Sequence, residues 1–102
     1  MTTVSSHVLD LGRGEPRSGL EVILEALDSG NWAEVARSRT DEDGRVGRLA
    51  SDLDSGTYRL RVMIGDGFYP EVDVVVSLDG SEPHYHLPIL LSPYGYSTYR
   101  GS

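Results

Sequence analysis

The sequence predicts an all-β sandwich of eight strands, forming a single domain over residues 1–102. Three observations carry this. Short runs with a period of two recur along the chain, clusters of Gly, Asp, Asn and Pro separate them, and no long stretch has helical periodicity. Alternation gives a strand one buried face, and short strands at regular spacing with turn chemistry between them build a sandwich or barrel. The composition, 38% hydrophobic and 25% charged, is that of a globular protein with enough apolar surface for one core.

The elements follow in order. Val4 to Leu9 reads as the first strand, ending in a Gly12-Arg13-Gly14-Glu15-Pro16 loop. Leu20, Val22, Leu24 and Ala26 alternate with Glu21, Ile23, Glu25 and Leu27 to give the second. Asp28-Ser29-Gly30-Asn31 is a hairpin turn into the third, Trp32 to Thr40. Asp41-Glu42-Asp43-Gly44 turns the chain into a return strand beginning with Arg45 to Leu49, after which a weak helical pattern at Ala50 to Leu53 is too short to matter. Tyr58, Leu60, Val62 and Ile64 mark the fifth strand and Val72, Val74 and Val76 the sixth. Tyr85 to Leu91 and Tyr96 to Tyr99, joined by Ser92-Pro93-Tyr94-Gly95, complete the set.

Charge and composition exclude several functions. A net charge of −7 argues against nucleic acid as a partner, because phosphate binding needs clustered basic residues. All nine basic residues are arginine, so Schiff-base lysine chemistry is excluded, and with no cysteine there is neither a disulfide framework nor a thiolate nucleophile. No apolar run approaches the roughly 20 residues of a membrane helix. The first residues lack a basic region followed by an apolar stretch, so a signal peptide is not expected and a cytoplasmic location is.

Candidate chemistry rests on histidine. His84 and His86 are two apart on an expected strand, which places them on one face about 7 Å apart. Such a pair with a distant third histidine, His7, is one way to build a three-histidine zinc site, but many strands carry it on a solvent face without metal. His7 sits beside apolar Val8 and Leu9, and Arg45 directly follows a turn, where an ordinary arginine is solvated. No Gly-x-Ser-x-Gly or phosphate-binding loop is present. Composition and spacing therefore stop at a β-sandwich with a histidine site among the options.

Five segments go further. They are Ser5-Ser6-His7-Val8-Leu9-Asp10 with Gly14 and Pro16, Thr40-Asp41-Glu42-Asp43-Gly44-Arg45, Phe68-Tyr69-Pro70-Glu71-Val72, His84-Tyr85-His86-Leu87-Pro88 and Tyr99-Arg100-Gly101-Ser102. Together they resemble the 5-hydroxyisourate hydrolases, the purine-degrading relatives of transthyretin, over nearly the whole chain. The closing Tyr-Arg-Gly-Ser is the sharpest of them. The hormone carrier lacks it, and lacks the histidines at the positions of His7 and His86 and the arginine at Arg45. One departure is visible: the family's short external helix falls where this chain crosses with only Met63-Ile64-Gly65-Asp66-Gly67, so that helix is expected to be missing or reduced.

The resemblance implies a transthyretin-like sandwich, a cofactor-free and metal-free hydrolysis, and a homotetramer with its sites at the dimer–dimer interface. It implies 5-hydroxyisourate as the small-molecule substrate, with no nucleic acid or membrane partner. His7, Arg45, His86 and Ser102 are the implied catalytic residues; His7, Arg45, Tyr99 and Arg100 are the implied substrate contacts. Ser102 is expected to act through its terminal carboxylate, orienting water or His7. His84 is expected either to support a neighbouring site residue or to lie on the rim. Which of His7 and His86 is base and which is acid stays open. The competing readings are a transthyretin-like carrier of small ligands, an accessory domain with no site, and a zinc hydrolase using His7, His84 and His86. The polar trio His7, Arg45 and His86 speaks against the carrier, whose ligands prefer an apolar channel.

Overall fold

The computed structural model describes residues 2–101. Its strands are β1 (Thr2–Asp10), β2 (Glu15–Pro16), β3 (Glu21–Asp28), β4 (Asn31–Arg39), β5 (Arg45–Leu53), β6 (Gly56–Met63), β7 (Glu71–Leu78), β8 (His84–Leu91) and β9 (Tyr96–Thr98). They form two sheets. In the first, β1 is central: β8 runs parallel to it on one side, with β9 beyond. On the other side β5 pairs antiparallel with Thr2 to His7, and β2 pairs with Leu9 and Asp10. The second sheet is wholly antiparallel, in the order β4-β3-β6-β7.

Register explains why these sequences hold together. Leu24, Leu60 and Val74 lie side by side across β3, β6 and β7, as do Val22, Val62 and Val72. Their inward face meets Val4 and Val8 of β1, Val46 of β5 and Leu87 and Ile89 of β8 in one core. Leu24, Leu60, Ile89, Val4 and Val8 are fully buried. Truncating one of the leucines to Ala removes about 2–5 kcal/mol. The intervening residues of β1 and β8, namely Thr3, Ser5 and His7 with His84 and His86, are left for the opposite face.

The structure departs from the sequence reading in two places. The strands number nine among the described residues rather than eight, because Glu15 and Pro16 pair with Asp10 and Leu9; two residues are too few to show a period. Residues Ala50 to Leu53 are strand, not helix. The pattern there is misleading because β5 is bulged: Val46 pairs with Ser6 while Ala50 pairs with Val4, so β5 uses four residues where β1 uses two. Val46 and Leu49 consequently both reach the core at a spacing of three, which imitates a helical repeat.

The crossing from β6 to β7 contains no helix. The Ile64 and Gly65 amides both donate to the Pro70 carbonyl, at 2.8 and 2.9 Å. Asp66 accepts from Arg13 and Arg17 at 3.2 Å each, tying the short crossover to the loop after β1.

Candidate active site

The outward face of the first sheet carries the candidate site. Its floor is the parallel pairing of β1 with β8, which sets Thr3 beside His84 and Ser5 beside His86. On the other edge of β1, His7 pairs directly with Arg45 of β5. Three strands thus bring His7, Arg45, His84 and His86 to one surface.

Each is fixed by local structure. The turn before β5 is closed by Asp41, whose Oδ1 accepts the Asp43 and Arg45 amides at 2.9 Å each. Gly44 sits at φ 76°, pressed so closely on β1 that a Cβ there would lie 2.5 Å from the Val8 carbonyl oxygen. The Val8 amide donates to the Gly44 carbonyl at 2.8 Å. This docking presents the Asp43 carbonyl to His7, whose Nε2 donates to it at 2.8 Å. A carbonyl only accepts, so Nε2 carries a proton in either charge state, and Nδ1 is the nitrogen that gains or loses one.

His86 is half-buried and held on two sides. Its Nδ1 is 2.7 Å from the Ser5 hydroxyl, and its carbonyl accepts the Gly101 amide at 2.9 Å. Gly101 lies over the ring: a Cβ there would come within 2.7 Å of His86 Cδ2. Burial, then the positive charges of His7, Arg45 and His84, push the His86 pKa below the ordinary 6.5. His86 is therefore kept as the neutral imidazole near neutral pH, the form that accepts a proton.

His84, exposed at the start of β8, places Nδ1 2.5 Å from Thr3 Oγ1 and Nε2 2.8 Å from the same Ser5 hydroxyl that meets His86. The expectation that His84 and His86 share a face holds, and Ser5 links them. Sequence reasoning missed Ser5 and Thr3 as site residues. The signal was present in the period-two run Thr3, Ser5, His7, but only the pairing of the first strand with one near the chain's far end gives it meaning.

Arg45 is exposed, and among the described residues it forms no ion pair. A guanidinium there suits a planar, carbonyl-rich or anionic ligand. Tyr99 and Arg100 are not brought to this face within one chain. Tyr99 is exposed, while Arg100 reaches Glu82 at 3.3 Å and lies 5.1 Å over the Tyr85 ring, in a groove between the edge strands β7 and β9. Ser102 lies outside the described residues. Among the described residues no three His, Asp or Glu side chains converge as metal ligands. The ring nitrogens of His84 and one of His7 are already engaged in hydrogen bonds.

Comparison with known proteins places the chain in a family. A Caulobacter vibrioides 5-hydroxyisourate hydrolase is 41% identical over 115 residues, covering all of both chains. The solved structure of Klebsiella pneumoniae 5-hydroxyisourate hydrolase superposes with a TM-score of 0.86 at 32% identity, again covering both chains fully. Transthyretin from Sparus aurata shares the fold, with a TM-score of 0.88 at 24% identity over 96% of this chain and 95% of that one. A model of the HIUase/Transthyretin family matches residues 4–101, and the chain belongs to that family.

Proposed function

We propose that the protein is an enzyme of urate degradation that hydrolyses 5-hydroxyisourate to 2-oxo-4-hydroxy-4-carboxy-5-ureidoimidazoline. The observation that carries this reading is the convergence of two histidines and an arginine, without an ion pair among the described residues, on one sheet face. It is supported by full-length similarity to proteins named for that activity.

The reaction adds water across a ring amide. The water oxygen bonds to the carbonyl carbon, the C–N bond breaks, and the nitrogen leaves with a proton. His86, neutral at working pH, and His7, with one exchangeable nitrogen, divide the two proton transfers between them; a positioned acid or base contributes about 10²–10⁴-fold. Arg45 stays protonated and binds the carbonyl-rich ring, then the oxyanion formed as water attacks. Tyr99 and Arg100 act as substrate contacts, and Ser102 orients water or His7 through its terminal carboxylate, in a homotetramer with sites at the dimer–dimer interface, where tails and faces of different subunits meet. The proposed location is the cytoplasm.

The decisive experiment generates 5-hydroxyisourate in situ with urate oxidase and follows its ultraviolet decay with and without this protein. Acceleration over spontaneous decay is expected; its absence overturns the reading. Light scattering is expected to give four times the 11.2 kDa chain mass, and a fully active monomer overturns the shared-site arrangement.

A further inference from the structure

The turn that delivers Arg45 is organised around one residue. The Oδ1 of Asp41 accepts the Asp43 and Arg45 amides at 2.9 Å each, its amide donates to the Arg45 carbonyl at 2.9 Å, and its carbonyl accepts the Gly44 amide at 3.0 Å. The last of these sets a direction. The Gly44 N–H and the Asp43 C=O belong to one trans peptide, so they point opposite ways. With the N–H turned in to Asp41, the C=O faces out of the turn, where His7 Nε2 meets it at 2.8 Å. Gly44 is buried and its own carbonyl accepts the Val8 amide at 2.8 Å, so this peptide cannot swing without leaving β1. Every role in the set is fixed by chemistry: amides only donate, carbonyls and a carboxylate only accept, and His7 Nε2 therefore donates.

We propose that Asp41 is a positioning residue that, through the Asp43 carbonyl, fixes the His7 imidazole with a proton on Nε2 and leaves Nδ1 as the nitrogen that exchanges a proton with the reactants. The register that pairs His7 with Arg45 brings the turn beside the ring, yet Asp41 itself reaches His7 only through the Asp43 carbonyl. Without the Asp41 oxygen the Asp43 and Arg45 amides lose their acceptor, and the carbonyl between them is no longer held toward the ring. The imidazole then turns and exchanges its tautomers. What the turn uses is an oxygen at the Oδ1 position, which asparagine also supplies, and not the carboxylate charge.

The kinetic part rests on the hydrolase reading, whereas the tautomer is read on free protein without turnover, so the two fail separately. Histidine side-chain nitrogen-15 spectra at about pH 8, where ordinary imidazoles are neutral, report which nitrogen is protonated. The wild type is expected to show His7 as Nε2–H alone, and Asp41→Ala the mixture of tautomers of an untethered imidazole. Asp41→Asn, which keeps the oxygen and drops the charge, is expected to match the wild type. In the hydrolysis assay Asp41→Ala is expected to lower kcat about tenfold and Asp41→Asn to restore most of it. In a His7→Ala background the same Asp41→Ala change is expected to cost much less, because the ring it positions is gone. A wild-type His7 protonated on Nδ1, or on either nitrogen in a mixture, overturns the proposal whether or not any variant folds. So does Asp41→Asn with mixed tautomers, or Asp41→Ala with an unchanged tautomer or an unchanged kcat. An equal kinetic loss with and without His7 overturns it too, since that marks a turn needed only for folding. A wild type with the expected tautomer but no hydrolysis overturns the hydrolase reading and leaves the hold of the turn on the ring standing.

Discussion

The two outward faces of this sandwich are built on opposite electrostatic plans. On the β4-β3-β6-β7 sheet, cations meet anions across and along strands: Arg59 reaches Glu25 at 2.7 Å, Arg61 reaches Glu71 at 2.6 Å, and Arg37 reaches Glu21 of the neighbouring strand at 2.7 Å and Glu34 of its own at 2.6 Å. Arg59 also lies 4.6 Å over the Trp32 ring. On the other sheet, among the described residues, no carboxylate lies within ion-pair distance of His7, Arg45, His84 or His86. Their polar partners are hydroxyls and a carbonyl, which orient a ring without neutralising a charge. A solvated face completes its charges internally. A site leaves them incomplete, and the ligand supplies what is missing. In a chain whose net charge is −7, Arg45 on this face, unmatched among the described residues, is also where an anion is drawn.

The contrast is broken most severely by removing the groups on the unmatched face. His86→Ala, His7→Ala and Arg45→Ala are each expected to leave a folded oligomer and to lower turnover at least about tenfold, equivalent to about 1.4 kcal/mol of barrier. Near-parent kinetics in any one removes that residue from the mechanism. Deleting residues 99–102 is expected to cost most of the activity while the thermal midpoint is retained, because Tyr99 and Arg100 are exposed and Gly101 contributes one backbone bridge to His86. A parallel fall of midpoint and rate shows instead that the tail is structural.

A gentler test titrates the same face. The neutral form of His86 is the active one, so kcat/KM is expected to fall on the acid side with a midpoint below 6.5, the ordinary histidine value. Arg45→Gln removes one of the charges that depress it, and the midpoint is expected to move up toward 6.5 while staying below it, since burial remains the larger cause. A downward shift contradicts this. On the matched face the smallest effect is expected: Arg61→Ala leaves kcat/KM within about twofold, because exposed ion pairs contribute little and none of them touches the site. A large loss there means the two faces are coupled through the core.

Most of the sandwich was legible because buried strands announce themselves locally. Tyr58, Leu60 and Val62 alternate with Arg59 and Arg61, and the structure buries the first three while the arginines find acids outside. Glu15 and Pro16 were illegible because two residues have no pattern, and Ala50 to Leu53 because a bulge changes the spacing of core contacts. At the site, the individual histidines and Arg45 were nameable from motif resemblance, but their geometry was not. Ser5 and His84 are 79 residues apart, and nothing near either one states that their strands run side by side. Arg100 illustrates the converse. Its motif suggested a ligand contact, yet within one chain Glu82 and the Tyr85 ring claim its guanidinium.

The parallel union of the first and eighth strands also governs when this surface comes into being. Antiparallel neighbours such as β3 with β4, or β6 with β7, close over short loops, whereas β1 must wait for β8, and long-range pairing of that kind is slow. During synthesis the opening strand leaves the ribosome carrying Thr3, Ser5 and His7, and nearly the whole remaining polypeptide has to follow before His84 and His86 arrive beside it. A product that ends before His84 does not contain the arrangement. Appearance of activity during refolding is therefore a report that the two ends of the chain have met.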